Sequence, residues 1–398
     1  MATAGEPSWP RSTDMLAILT SHPIQYQAPL WRSLANDGRV EFEVWFLTPH
    51  AVTPSHDPQF GQTFAWDCDL TADYPNRFVP IAEGWKMNEF RGVKVTSPWE
   101  HQFREHGVTT LWVEGWRFAE YWSAIRTARR LGIPVWIRGE NNNLAPRTWR
   151  TRLIKRPIMR YLFGQVTDFL TIGSANRRYY RYHGISESRF HSAPYAVDNA
   201  HWRSEVKKLG SQRNVIRQNF GIPDDAFCIL FCGKLIGKKR PLDLVRAAGS
   251  IRDSTRPIHL LYVGNGELRA ELENALIQLP SQTHSLLGFL NLSEISKAFV
   301  AADALALPSD AGETWGLVVN EAMACGLPAI VSDQCGCAED LVAPVNPSLV
   351  FRCGDIPDFS RSIRHLIASP PAAQSIRASV DRHDIRETVD SVVRLFSG

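Results

Sequence analysis

No apolar run in this sequence is long enough to span a bilayer; the longest are strand-sized. The first twelve residues are polar and contain proline, without the apolar core of a signal peptide, so a cytoplasmic protein is expected. The seven cysteines are odd in number and scattered. They suggest no disulfide framework, which fits the same reducing compartment. Cys335-Gly336-Cys337 lacks a second pair at zinc spacing, so structural zinc is not expected. Charge of one sign is also scarce: 44 Lys and Arg against 41 Asp and Glu leave +3. That gives no global argument for nucleic acid, and no recognisable nucleic-acid module is present. No strand runs into Gly-x-Gly-x-x-Gly and a helix, which disfavours a dinucleotide-dependent oxidoreductase.

What is present is an alternation of short apolar runs and helical stretches, the pattern of parallel α/β architecture. A chain of 398 residues exceeds one ordinary core and implies two domains. Strands are expected at Met15–Thr20, Phe42–Leu47, Phe78–Ile81, Thr110–Val113, Val135–Arg138 and Asp168–Ile172. Thr48 to Asn76 reads as a loop-like insertion. A second unit begins near Asn214, with strands at Cys228–Gly233, His259–Val263, Ser285–Gly288, Ala304–Pro308 and Ala329–Ser332. The expected boundaries are 1–205 and 206–375, with a helix over 376–398 returning to the first domain. Two Rossmann-like domains would collect their strand-end loops at a shared cleft.

The most informative stretch is Ser309 to Pro328. Glu313 falls in a loop among glycines. Glu321 falls eight positions later, on a helix Leu317–Cys325 that Gly326 and Pro328 stop. Between them lie the first amides of the helix, an anion-binding arrangement. Hydroxyls and a diphosphate would satisfy all three elements. Two more loops follow strands of the same unit: Lys234, Lys238, Lys239 and Arg240 after the first, Gly264-Asn265-Gly266 after the second. Parallel strands bring the three loops to one edge, where lysines can approach an anion held by the helix amides. Singly, each feature is more often a solvated loop, a plain turn or a surface glutamate; their joint order is what counts.

Gly233-Lys234-Leu235…Lys239, Gly264-Asn265-Gly266 and Glu313-Thr314-Trp315-Gly316…Glu321-Ala322-Met323-Ala324-Cys325-Gly326-Leu327-Pro328 resemble the GT-B retaining glycosyltransferases of family 4, over essentially the whole second domain. The resemblance implies a GT-B fold, two doubly wound parallel-sheet domains facing a central cleft. It implies transfer from a nucleotide-sugar to a hydroxyl with retained anomeric configuration. It places Lys234 (commonly Arg in the family) and Lys239 on the diphosphate, Glu313 on the donor sugar and Glu321 on the ribose. Leu290 falls where the family holds the base, and Gly264, Gly266, Thr314, Trp315, Gly316 and Leu317 complete the donor side. No metal or other cofactor is expected, because lysines and helix amides replace one. Asp67-Cys68-Asp69, a conceivable metal-binding pair, is rejected: the spacing arises easily by chance and lies in the insertion.

The first domain matches less closely. Its first strand leads into His22-Pro23-Ile24-Gln25-Tyr26, which resembles the opening of a subgroup of these enzymes. His22, Gln25 and Tyr26 are acceptor-side candidates; equally, Gln25 and Tyr26 only cap and pack the following helix. Glu114, Arg138 and Glu140 also end strands and should face the cleft, although Arg138 with Glu140 also reads as an internal ion pair. The acceptor class stays open among glycans, lipid-linked and small-molecule hydroxyls. A GT-B-type epimerase or a non-catalytic nucleotide-sugar-binding protein are the alternatives.

From Asn141 to Phe220 the chain carries 15 Lys and Arg against 4 Asp and Glu. Arg147 to Phe163 holds six of those cations, no acid, and interleaved apolar residues. Such a surface suits anionic lipid at the inner membrane face, but a packed apolar side with a solvated basic side is the commoner outcome. Pro157 argues against one long straight helix there.

Overall fold

The computed structural model describes residues 14–50, 55–57, 62–64, 69–145, 148–279 and 283–398, with only the backbone of 55–57 and 62–64. Fifteen strands are assigned among them. β1 Met15–Thr20, β2 Phe42–Phe46, β5 Asn76–Phe78, β6 Val108–Val113, β7 Val135–Ile137, β8 Asp168–Thr171 and β9 Phe190–Ser192 form one sheet in the order β5-β2-β1-β6-β7-β8-β9. β10 Phe227–Cys232, β11 Ile258–Val263, β12 Thr283–Gly288, β13 Ala304–Leu307, β14 Ala329–Ser332 and β15 Val350–Phe351 form the other, in the order β12-β11-β10-β13-β14-β15. Every pairing in both sheets is parallel. The expected loop-like insertion holds a short antiparallel hairpin, β3 Ser55–Asp57 with β4 Gln62–Phe64.

Both faces of each sheet are covered, so the central strands read as unbroken apolar runs rather than as an alternation. Along β1, Ala17 and Leu19 enter one core while Leu16 and Ile18 enter the other, as a period of two requires. In each sheet the strand order reverses direction beside the first strand, between β1 and β6 and between β10 and β13. A parallel sheet opens a crevice at that point, at the carboxyl ends of its strands. The loops after β1, β6, β10 and β13 are therefore the ones placed to build a site.

Tyr195, at the end of the first unit, reaches into the second core, and Trp202 and Leu209 pack within it, so the Asn199–Leu209 helix lies with the second unit. The final stretch is two helices. Ala373–Asp381 packs Ile376 and Val380 into the second core. Only Ile385–Phe396 returns, placing Ile385, Val389, Val392 and Val393 beside Trp31 and Leu34 of the first. Its apolar residues recur at a spacing of one helical turn, which turns one face to that core. The 149–164 segment is a single helix, Trp149–Gly164, with Pro157 inside it. Pro157 is exposed, so its ring meets solvent and the helix forgoes a single backbone bond.

Candidate active site

A cleft of about 1700 Å³ lies between the two units. Ligand pockets for one drug-sized molecule run to roughly 1,000 Å³ at most, so this cleft has room for two reactants. Its walls carry Lys234, Lys238 and Lys239 from the loop after β10, Gly264 from the loop after β11, Leu290 after β12, and Glu313 to Leu317 after β13. Gln25, Tyr26, Glu140 and Tyr195 face them from the first unit.

On the second unit, the Lys239 ammonium donates to Glu313 Oε2, and both side chains are largely buried. Ser309 Oγ also donates to that oxygen, at 3.4 Å. Lys238 fixes the same loop through its backbone, its carbonyl accepting from Asp310 N at 2.8 Å. Arg240, the fourth cation of the cluster, turns to Asp243 at 2.6 Å. Glu321 also lines the cleft, on the Leu317–Ala324 helix. Its carboxylate has no hydrogen-bond or ion-pair partner among the described residues, and burial pushes it up to about 8.

Two glycines explain how these loops come so close. Gly264 has φ +132°, and a Cβ there would lie 2.0 Å from the Gly233 carbonyl oxygen. Gly266 has φ +159°, and its Cβ would lie 2.4 Å from the Leu235 carbonyl oxygen. The loop after β11 is thereby laid on the loop after β10, and Leu235 N donates to Asn265 O at 2.9 Å. Gly264 lines the cleft, whereas Gly266, expected on the donor side, serves this loop-to-loop contact instead. Gly264→Ala is expected to cost about 2–4 kcal/mol, read by chemical denaturation. Gly237→Ala, where nothing lies within 4 Å, should change little.

Trp315 is only 2% exposed. It braces the site more than it lines it: Nε1 donates to Asn320 Oδ1 at 2.8 Å, and the ring meets Tyr195 edge-on at 6.1 Å. Gly336 lets the Cys335–Cys337 turn press against this loop, since a Cβ would sit 1.9 Å from Thr314 O. The Cys-Gly-Cys spacing is therefore a close-packing device, and both thiols are free and buried.

On the first unit the acceptor-side candidates separate. Glu140 stands in the cleft, and Oε1 accepts from the hydroxyls of Tyr26, at 3.2 Å, and of Tyr195. Its Oε2 has no hydrogen-bond partner among the described residues. Gln25 also lines the cleft. Arg138 does not pair with Glu140. It lies buried with Glu114, Nη1 to Oε1 3.9 Å, and donates to Pro194 O at 3.2 Å. Burial pushes the Glu114 carboxyl up to about 7 even though Arg138 opposes the shift. Glu114 and Arg138 directly follow β6 and β7, and their paired side chains are buried and do not line the cleft. His22 likewise turns away from the cleft, toward Ser21 Oγ at 2.8 Å and the His50 ring at 5.1 Å. Burial lowers it to about 4, with His50 and Arg117 adding to the shift, so it is neutral at pH 7. Asp67 and Cys68 lie outside the described residues, while Asp69 holds a turn through Thr71 N at 2.8 Å.

Tyr195 and Asn320 carry no motif and are legible only in three dimensions. Tyr195 ends the first unit and reaches Glu140, while its carbonyl accepts from Asn320 Nδ2 at 3.0 Å. Asn142 Nδ2 donates to Thr314 O at 3.1 Å, a second tie between the units.

With this geometry in view, likeness to known proteins is informative. Solved structures share the whole two-unit arrangement. The Anabaena protein HepE in complex with UDP matches with a TM-score of 0.70 at 16% identity, over 96% of this chain and 99% of its own. Sucrose-phosphate synthase from Thermosynechococcus elongatus matches with a TM-score of 0.66 at 14% identity, over 96% and 98%. The fold is GT-B. The second half of this GT-B chain, residues 212–382, matches the family model of glycosyl transferases group 1. The 2-deoxystreptamine glucosyltransferase of Streptomyces kanamyceticus is 30% identical over 198 residues, 49% of this chain and 50% of that protein. D-inositol 3-phosphate glycosyltransferase 1 of Catenulispora acidiphila is 29% identical over 236 residues, 54% and 53%. The matched part thus spans about half the length of these curated relatives. No described helix of the GT-B chain is long and apolar enough to cross a membrane.

Proposed function

We propose that this protein is a glycosyltransferase, moving a sugar from a nucleotide-sugar to a hydroxyl of a glycan, a lipid-linked or a small-molecule acceptor, with retention and without a metal. The observation that carries the reading is the placement of the Lys239–Glu313 pair and the unpartnered Glu321 around one crevice, facing Glu140 across the cleft. A HepE crystal that holds UDP and glucose supports a nucleotide-sugar in a cleft of this shape.

Glu321 accepts from the ribose hydroxyls, which supply the donors its carboxylate lacks. Lys239 and Lys234 hold the diphosphate, each charged hydrogen bond contributing roughly 1.5–3 kcal/mol, together with the helix start at Leu317. Glu313 positions the sugar, and Leu290 lies beside the base. The bond from the sugar's anomeric carbon to phosphate oxygen breaks as charge gathers on the diphosphate, where the lysines stabilise it most. The acceptor oxygen attacks on the face being vacated, and its proton passes to the departing phosphate, so the nucleoside diphosphate leaves and configuration is retained. The closed cleft keeps water from the oxocarbenium-like species.

A thermal-shift series with nucleoside diphosphates and their sugars in EDTA tests the reading. One nucleotide should raise the melting temperature, because ligand bound to the native state stabilises it. No shift with any of them contradicts the proposal. Glu140 Oε2 is placed to accept from the incoming hydroxyl. Glu140→Gln should therefore raise the acceptor KM by about tenfold and leave donor affinity unchanged. A matching loss of donor affinity would remove Glu140 from the acceptor side.

A further inference from the structure

The Trp149–Gly164 helix leaves its apolar residues in solvent. Trp149, Leu153 and Ile154 are 66%, 64% and 65% exposed, and Ile158 and Tyr161 are exposed as well. Only Met159, Leu162 and Phe163 reach the core. The packed apolar side that the sequence favoured is thus narrow, and a second, outward apolar face remains. Arg150 and Arg160 are interleaved with that face, and no acid occurs between Glu140 and Asp168. Arg147 and the Arg152 side chain lie outside the described residues. Beside the helix is a separate pocket of about 270 Å³, lined by Thr151, Lys155, Arg156, Tyr182 and His183. The Arg156 guanidinium stands 5.3 Å over the Tyr182 ring, on the pocket wall.

We propose that this helix docks the protein on an anionic lipid bilayer, with the adjoining pocket receiving a headgroup phosphate. An exposed apolar face on an acid-free basic helix matches the two attractions of such a surface, acyl burial and counter-charge. A water-soluble partner would need acids to match these cations but would not need the apolar face to lie open. The docking stands apart from the glycosyltransferase reading. If both hold, a lipid-linked hydroxyl is brought to the cleft, because the chain from Glu140 to the helix cap at Thr148 passes Asn142, which touches the donor loop at Thr314.

Co-sedimentation of the full chain with vesicles tests it, using phosphatidylcholine alone or mixed with phosphatidylglycerol. The protein should pellet with the mixed vesicles at low salt, be released as salt rises, and stay in solution with phosphatidylcholine alone. Leu153→Glu with Ile154→Glu should lower the partition coefficient by about tenfold or more, and Lys155→Glu with Arg156→Glu should remove the salt-sensitive part. All four sites are at the surface, so melting temperature and nucleotide binding, measured in parallel, should not move. Nucleotide binding kept while vesicle binding is absent overturns the docking and leaves the catalytic reading intact. Equal binding to both vesicle types, or variants that pellet like the wild type, also overturns it. So does a self-associating wild type that ignores vesicles and that Leu153→Glu makes monomeric, which assigns the face to a second copy.

Discussion

Lys239→Ala should lower turnover by about 10²–10³, the range seen when one donor to a developing anion is removed. The loss has two sources. The diphosphate loses a cation as its bond to the sugar breaks. Glu313, relieved of its partner, then presents an uncompensated negative charge close to that diphosphate. Because the pair is largely buried, removing one member also destabilises the fold, and the melting temperature should fall by a few degrees. Changing Glu313→Gln in the same chain should restore the melting temperature but not the turnover, which separates the structural role from the catalytic one. Lys239→Arg keeps the charge and should recover part of the rate. Steady-state release of nucleoside diphosphate gives the readout. Turnover within about threefold of wild type, less than 1 kcal/mol of barrier, would take Lys239 off the diphosphate.

Above pH 8, where the Glu321 carboxyl is ionised, Glu321→Gln should weaken nucleoside diphosphate binding by about tenfold or more, since the ribose hydroxyls lose a charged acceptor. The same change should raise the stability of the free protein. Burial holds the folded carboxyl's proton up to about 8, against 4.5 ordinarily, so between those values the native state binds a proton that the unfolded chain has released. That binding favours the fold fully below 4.5 and is lost as the pH climbs through 8. At pH 8 and above a buried, unpartnered carboxylate remains, and glutamine removes its charge. A rise in melting temperature of about 2–4 °C at pH 8, shrinking toward pH 5, accompanies the lost affinity. Calorimetric titration that finds unchanged affinity takes Glu321 off the ribose.

How much was legible in advance depended on whether the signal was local. The central strands fell within a residue or two of their places, because buried parallel strands are apolar throughout and are punctuated by glycine and proline. At the edges, the strand expected at Phe78–Ile81 lies at Asn76–Phe78, and the short β9 and β15 had no apolar run long enough to mark them. The donor-side loops were legible because their glycines and charges follow strands in a fixed order. Gly266 shows the limit: the sequence marks a glycine that something requires, and only the neighbouring Leu235 backbone shows that the requirement is close packing. The first unit was harder. His22, Glu114, Arg138 and Glu140 all end strands or follow them, yet one stands in the cleft and three do not, because the pleat and the neighbouring helices decide which way each points. Tyr195 could not have been found from its surroundings in sequence. Its importance comes from meeting Glu140 and Asn320, residues 55 and 125 positions away. The Trp149–Gly164 helix was legible as basic and apolar, but which of its apolar residues are covered depends on how few elements pack against it.

The central claim is that the cleft transfers a sugar with its configuration kept. The direct measurement is proton NMR of the full chain with the nucleotide-sugar that stabilises it and a panel of hydroxylated acceptors, in EDTA. Donor should be consumed only with acceptor present, with release of the nucleoside diphosphate and a new glycosidic signal of the donor's own anomeric configuration. An inverted linkage, conversion of the nucleotide-sugar to an epimer without any acceptor, or a donor bound but unchanged with every acceptor would contradict it.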